Sequence, residues 1–348
     1  MRYTIPFACA MLAAPASAHD ISVVTDIPVT QSLVSMVLGD HGEAELILDR
    51  GADAHSFQLR PSQATALSEA GLVFWVGAEM APWMARALDG PGAGAEAVTL
   101  LEADGLRLRE FADDGGQDHG HEDDHGDDDH DHDHGADDHA HDEHDHDHGA
   151  EDHAHDDHDH GDHDDDHAGH DRDEAGLDPH AWLDTRNARV WLDVIADALA
   201  AHQPAHADAF RANADAAQER IALLSAELDD MLAPARDMPF VTFHDAYGYF
   251  TRQFELTQAG SIALGHAATP GAQRLAALRE TLREDNVACV FPEANHDPAL
   301  VDTVLDGTDA RRGAALDPAG TVMAPGPDLY PQLMRRMAGA IADCAARS

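Results

Sequence analysis

His206–Ala235, HADAFRANADAAQERIALLSAELDDMLAPA, runs for about thirty residues without a glycine. It is rich in alanine and leucine, and it predicts one continuous helix. Such a helix spans about 45 Å at 1.5 Å per residue, longer than a crossover between neighbouring strands needs. It therefore reads as a bridge between two lobes.

On its N-terminal side, strand-like and helix-like segments alternate. Ile21–Thr25 (ISVVT) reads as a buried strand, and Val29–Gly39 as a helix ending on glycine. Ala44–Leu48 is a strand, Pro61–Ala70 a helix opened by proline, and Leu72–Val76 (LVFWV) an apolar strand. Ala81–Leu88 is helical, Ala97–Leu101 extended, His180–Asp184 short and extended, and Thr185–Ala201 an amphipathic helix. The C-terminal side repeats the alternation. Phe240–Phe243, Ser261–Leu264, Val287–Phe291 and Gly313–Leu316 read as strands. Tyr247–Phe254, Pro270–Glu284, Pro298–Leu305 and Leu329–Ala346 read as helices. The expected class is α/β, with two (β/α) lobes of mostly parallel sheets joined by one long rigid helix. Ligands of such sheets bind at the carboxyl ends of strands, which places a metal site in the interlobe cleft.

The expected boundaries are a signal peptide at 1–18, a first lobe at 19–205, a linking helix at 206–236 and a second lobe at 237–348. Arg2 supplies a short positive region, Phe7–Ala14 a brief apolar core, and Ala16-Ser17-Ala18 a small-residue cleavage site. The reading is export to the periplasm with cleavage after Ala18; the alternative is a buried first strand. Cys9 leaves with the signal, so Cys289 and Cys344 remain. In an oxidising compartment they pair as one disulfide; the alternative is two buried free thiols.

Inside the first lobe the composition changes abruptly. Residues 144–170 read HDHDHGAEDHAHDDHDHGDHDDDHAGH. The tract from Asp113 to Glu174 holds 29 of the 67 acidic residues, a single base, Arg172, and 18 of the 27 histidines. The histidines are His119, His121, His125, His130, His132, His134, His139, His141, His144, His146, His148, His153, His155, His158, His160, His163, His167 and His170. With no apolar residue larger than alanine, the tract cannot bury enough surface to order itself and is expected to be disordered. A solvated acidic tail would explain the aspartates but not histidine at every second or third position. Imidazole and carboxylate are ligands for zinc-like ions, so the tract is an accessory metal-binding loop. The formal net charge is −46, and the chain outside the tract is still acidic. That excludes nucleic acid as a partner and favours cations.

Three other histidines sit in loops where a cleft ligand would lie. His55 is in GADAHSFQLRPS, His180 in DPHAWLD, and His244 in FVTFHDAYGYF directly after a strand. Asp317, in ALDPAG, is the best fourth ligand, or else a turn aspartate before Pro318. Asp245 is placed to orient the ring of His244. Glu293, in FPEAN, either supports a ligand or caps the segment beyond it. His41, His202 and His206 lie in turns; His266 and His296 reach the cleft on a reading their spacing does not require. Three imidazoles and one carboxylate suit Zn2+, whereas manganese prefers more oxygen.

The motifs GADAHSFQLRPS, DPHAWLD, FHDAYGYF, PGAQRLAALR, ACVFPEANHDP and LDPAG occur in this order. Together they resemble the periplasmic zinc-binding receptors of bacterial zinc ABC importers, over about Ile21 to Cys344. The resemblance implies two (β/α) lobes on one rigid helix and His55, His180 and His244 as metal ligands. It implies Asp317 as a fourth ligand, as in manganese relatives and some zinc members; water or a nearby carboxylate serves others. An acidic residue near the first histidine is common in the family, and here Asp53 stands two positions before it. The resemblance also implies a Cys289–Cys344 disulfide, an acidic His-rich loop where the tract lies, a zinc ABC permease in the inner membrane as partner, and a monomer.

The expected function is capture of Zn2+, the transported ligand, and delivery to that permease, without catalysis. The alternatives are a periplasmic zinc buffer or adhesin, and a zinc hydrolase. Three histidines with an open position can activate water, but no H-E-x-x-H motif supplies a general base.

Overall fold

Strands β1 (Val23–Thr25) and β3 (Leu72–Trp75) are buried at every position. A strand covered on both faces needs such unbroken apolar runs, and gets its cover from flanking helices. The structure, a computed structural model, describes residues 22–111, 176–263 and 270–347.

In the first lobe, α1 (Pro28–Leu38), β2 (Ala44–Leu46), α2 (Pro61–Glu69), α3 (Pro82–Leu88) and β4 (Glu96–Thr99) complete the alternation around β1 and β3. Its sheet has the order β2-β1-β3-β4, and every pairing is parallel. Three of these helices open on a proline, whose missing N–H is one the first turn leaves unpaired anyway.

Helices α4 (Thr185–His202) and α5 (Ala207–Leu232) follow. The long helix thus has 26 residues, flanked by 3-10 turns at Pro204–His206 and Ala233–Ala235. At 1.5 Å per residue it spans about 39 Å. Its buried residues Phe210, Ala214, Ala217, Ile221, Leu224, Leu228 and Leu232 recur every three or four positions. That stripe is one helix face, turned onto α4 and α1.

The second lobe contains β5 (Phe240–His244), α6 (Gly248–Phe254), β6 (Gln258–Ala263), α7 (Ala272–Glu284), β7 (Cys289–Phe291), α8 (Ala299–Leu305), β8 (Arg311–Arg312) and α9 (Leu329–Ala345). Its sheet order, β6-β5-β7-β8, repeats that of the first, again all parallel. In each sheet the first strand lies between the second and third, so the strand order reverses there. His244 ends β5 at that position, where the crevice beyond the strands opens.

The two lobes share apolar packing. One hydrophobic cluster runs from Val23 through α4, α5 and β5 to α9, and a smaller one lies between the second sheet and helices α7 and α8. Helix α9 packs on α5 and returns to α1. A disulfide joins Cys289 on β7 to Cys344 on α9, with Cα atoms 6.5 Å apart, as expected. It closes a loop of 55 residues, which by chain entropy alone is worth roughly 4 kcal/mol.

Two expected segments differ. His180–Asp184 is not extended: Ala181–Leu183 makes a 3-10 turn, because Asp184 caps α4 by accepting from the Arg186 amide at 2.9 Å. The strand expected at Gly313–Leu316 is displaced to Arg311–Arg312, and Leu316 makes only an isolated parallel bridge to Glu293. The His/Asp tract, the signal segment and His266 lie outside the described residues. No described helix is long and apolar enough to cross a membrane.

Asp26 follows β1 and is fully buried. Its carboxylate accepts from the Ile27 amide at 2.7 Å and the Val76 amide at 2.8 Å, which ties the ends of β1 and β3. Burial pushes its pKa up to about 6, with those amides pulling the other way. A carboxyl raised above its unfolded value favours the folded state below that value. The contribution is lost as pH rises through the folded pKa. Over about two pKa units this amounts to roughly 3 kcal/mol. Urea unfolding of the metal-free chain should therefore show stability falling from pH 4.5 to pH 7, and Asp26→Asn should flatten that slope. An unchanged slope would remove Asp26 as its source.

Candidate metal centre

His55, His180 and His244 come from three separate loops yet meet at one point. Their ring centroids are 5.3 Å (His55–His180), 5.3 Å (His180–His244) and 6.1 Å (His55–His244) apart. One ligand atom from each lies within 4.8 Å of those of the other two. Three nitrogens at 2.0–2.1 Å from a tetrahedral ion stand about 3.4 Å apart, so the rings need close by at most about 1.4 Å around one.

His180 and His244 each have a ring nitrogen against a buried carboxylate, and a third carboxylate bonds the backbone of His55. Asp178, fully buried, accepts from the His180 amide at 3.0 Å and contacts His180 Nδ1 at 2.8 Å through the same oxygen. An Nδ1–H donated to Asp178 leaves the Nε2 lone pair for an ion. The other oxygen of Asp178 accepts from Arg109 Nη1 at 2.7 Å, and Tyr249 Oη donates to the Asp178 carbonyl at 2.9 Å. Burial pushes the Asp178 carboxyl up to about 6, partly offset by the His180 amide and by Arg109. Arg109 reaches this position across Gly248, where any Cβ would collide with its guanidinium. A side chain at Gly248, in the FHDAYGYF motif, would have to displace that guanidinium.

His244 Nδ1 contacts Glu293 Oε2 at 2.5 Å, and both side chains are buried. Burial disfavours the charged ring, but the Glu293 carboxylate, with Asp245 and Asp178 nearby, outweighs it and raises the His244 pKa. The carboxylate in contact with the His244 ring is thus Glu293, after β7, whereas the expected Asp245 acts on that ring through its charge. Asp53 accepts from the His55 amide at 2.8 Å and from Ser56 Oγ at 2.6 Å, so it shapes the loop that presents His55.

Asp317 lines the same cavity but stands outside the group of mutually close donor atoms. Its oxygens accept from the amides of Thr321 and Val322, both at 3.0 Å. Burial is the main reason its pKa is raised, and the charge of Glu293 adds to it. The cavity holds about 30 Å³, the space of one or two water-sized groups. It fits an ion and its last water, not an organic substrate.

Sequence reasoning missed the role of Asp178. The residue sits inside the quoted DPHAWLD motif, two positions before the histidine, and that spacing was the available signal. His296, whose spacing in sequence does not require it, does reach the cavity. Its ring stacks on Phe243 with centroids 4.4 Å apart and forms a second close group with His244 and Glu293.

A family profile described as "Zinc-uptake complex component A periplasmic" matches residues 23–344. The high-affinity zinc uptake system protein ZnuA of Paracoccus denitrificans is 49% identical over 332 residues, covering 95% of this chain and 94% of that protein. The protein of the same name from Brucella suis is 40% identical over 325 residues, covering 93% and 92%. Among solved structures, a crystal structure of ZnuA superposes with a TM-score of 0.68 at 20% identity, covering 94% of this chain and all of that one. A ZnuA deletion mutant with zinc bound superposes equally well, with a TM-score of 0.68 at 20% identity, covering 94% of this chain and 98% of that one.

Proposed function

Because the chain belongs to the ZnuA family, the periplasmic component A of zinc-uptake complexes, we propose that it captures Zn2+ between its lobes and hands it to an ABC permease. The observation that carries this is the convergence of three imidazoles on a cavity too small for an organic molecule. A receptor needs a closed set of ligands that can be opened again, and imidazoles drawn from both lobes supply one. Zinc is the cargo, and the protein does no chemistry on it.

His55, His180 and His244 are the ligands, and Asp317 takes the fourth position. A carboxylate oxygen has more than one lone pair, so the amide bonds to Asp317 leave it able to accept an ion. The chain works as a monomer after removal of residues 1–18, its lobes bounded at 19–205 and 237–348 with the helix at 206–236 between them. The His/Asp tract adds weaker zinc sites as a collector or sensor. Tethered ligands raise the local metal concentration.

Calorimetric titration with zinc in competition with a strong chelator tests this. The expected result is one tight site per chain, distinct from a weaker set, with manganese bound far less tightly. A chain with only weak, equivalent sites would refute it. Asp178→Asn should weaken the tight site by roughly 10–100-fold, the usual effect of losing a group that orients a ligand histidine. Competition titration with the same chelator reads that change.

A further inference from the structure

Beyond the three-histidine centre, the same cavity contains a second set of zinc-type donors. His244, Glu293 and His296 each place a ligand atom within 4.8 Å of the other two. All three belong to the second lobe: His244 ends β5, and Glu293 and His296 follow β7. This set needs nothing from the first lobe.

The arrangement is built rather than casual. Glu293 Oε1 and His296 Nε2 stand 3.7 Å apart, close to the about 3.3 Å edge of a tetrahedron with zinc-ligand arms of 2.0 Å. The His296 ring is fixed in plane by stacking on Phe243, tilted by only 20°. Its amide bonds back to the Glu293 carbonyl at 3.3 Å, which sets the turn that brings the two together. The Glu293 side chain is 8% exposed and that of His296 23%, so the set leads outward from the buried His244. Two imidazoles and a carboxylate are a donor set zinc accepts, with water completing it.

We propose that the second lobe carries a second zinc position, formed by His244, Glu293 and His296, through which the ion leaves or enters the interlobe centre. The proposal rests on the zinc-receptor reading above. His244 belongs to both sets, so the ion never loses all its protein ligands. It stays on His244 while the first-lobe imidazoles of His55 and His180 are exchanged, one at a time, for Glu293 and His296. Coordination bonds change, the proton held between His244 Nδ1 and Glu293 passes to solvent as Glu293 turns to the ion, and no electron is transferred. Exchange in single steps avoids the large desolvated-ion barrier of releasing three ligands at once. It also lets the lobes separate before the ion departs.

The test uses full-length chains, so the tract contributes equally to every sample. His55→Ala/His180→Ala removes the first-lobe ligands, and a triple variant adds His296→Ala. After equilibration in the same zinc buffer, the double variant should retain one more zinc per chain than the triple. Its zinc-soaked crystals should show an anomalous peak among His244, Glu293 and His296. Equal zinc in the two variants, or no peak there, would overturn the second position. Equal tight binding by the wild type and the double variant would instead overturn the interlobe centre itself. His296→Ala alone, in the wild-type background, should keep the tight site but slow zinc loss to a chelator about tenfold, and an unchanged rate would overturn the exchange role.

Discussion

His180→Ala is expected to abolish the tight zinc site while leaving the weaker zinc binding of the chain intact. His180 is almost fully buried and lies at the centre of the most constrained arm of the site. Asp178 fixes its ring, Arg109 fixes Asp178, and Tyr249 fixes the backbone of Asp178. Removing the imbedded imidazole takes away one of three nitrogens that a zinc ion needs. It also strands a buried carboxylate whose ring partner is gone. The loss should therefore exceed the roughly 10–100-fold expected when only an orienting group is removed. Chelator competition reads the tight site, and direct titration reads the remainder. Deleting residues 113–174 should do the opposite, lowering the number of zinc ions bound while the tight site persists. If the deletion rather than His180→Ala removed the tight site, the tract and not the cleft would be the receptor.

The contrast between these two variants reflects how much of the site was legible in the sequence. The three histidines could be found because each lies in a loop that follows a strand or precedes a helix in the strand–helix alternation. Strand ends in parallel sheets are where ligands gather. The strand–helix alternation and the long helix were legible too, since buried parallel strands read as short apolar runs, but the order of the strands in each sheet was not. The partners of the histidines were less legible. Asp178 was near His180 in sequence, but Glu293 reaches His244 only because β5 and β7 are neighbours in the sheet, 49 residues apart. Pairing of that kind is set by topology, which no local motif encodes. The same holds for His296, whose spacing from Glu293 means little until the turn after β7 is formed. The displaced strand expected at Gly313–Leu316 has a related cause. Leu316 is buried and pairs with Glu293 only as an isolated bridge, while the continuous pairing with β7 forms at Arg311–Arg312.

Trp182→Ala is expected to have the largest effect on stability. Trp182 is fully buried two residues beyond His180 and lies 5.3 Å from its ring. Its Nε1 donates to the Pro318 carbonyl at 2.8 Å, and its own carbonyl accepts from Tyr330 Oη at 2.8 Å. The side chain thus joins the first-lobe turn that carries His180 to the second-lobe loop that carries Asp317, while the backbone of the same residue ties that turn to the start of α9. Truncating a buried tryptophan to alanine costs roughly 3–5 kcal/mol, from lost transfer energy and the cavity left behind. At about 2–4 °C per kcal/mol for a chain of this size, the melting temperature should fall by about 10 °C. Trp182→Phe separates the two causes. It keeps most of the volume and loses only the N–H, leaving the Pro318 carbonyl buried without its donor, at a cost of roughly 1–3 kcal/mol. Thermal unfolding followed by circular dichroism should rank the chains wild type, Trp182→Phe, Trp182→Ala in falling order. A Trp182→Ala chain melting within 2 °C of the wild type, a bound set about fivefold below the expected shift, would mean that the lobes are held by α5 and α9 alone. In that case the tryptophan would only shield His180. The affinity of Trp182→Ala for zinc, measured well below its melting point, would then fall without any change in stability, because the histidine would have lost its wall and not its lobe.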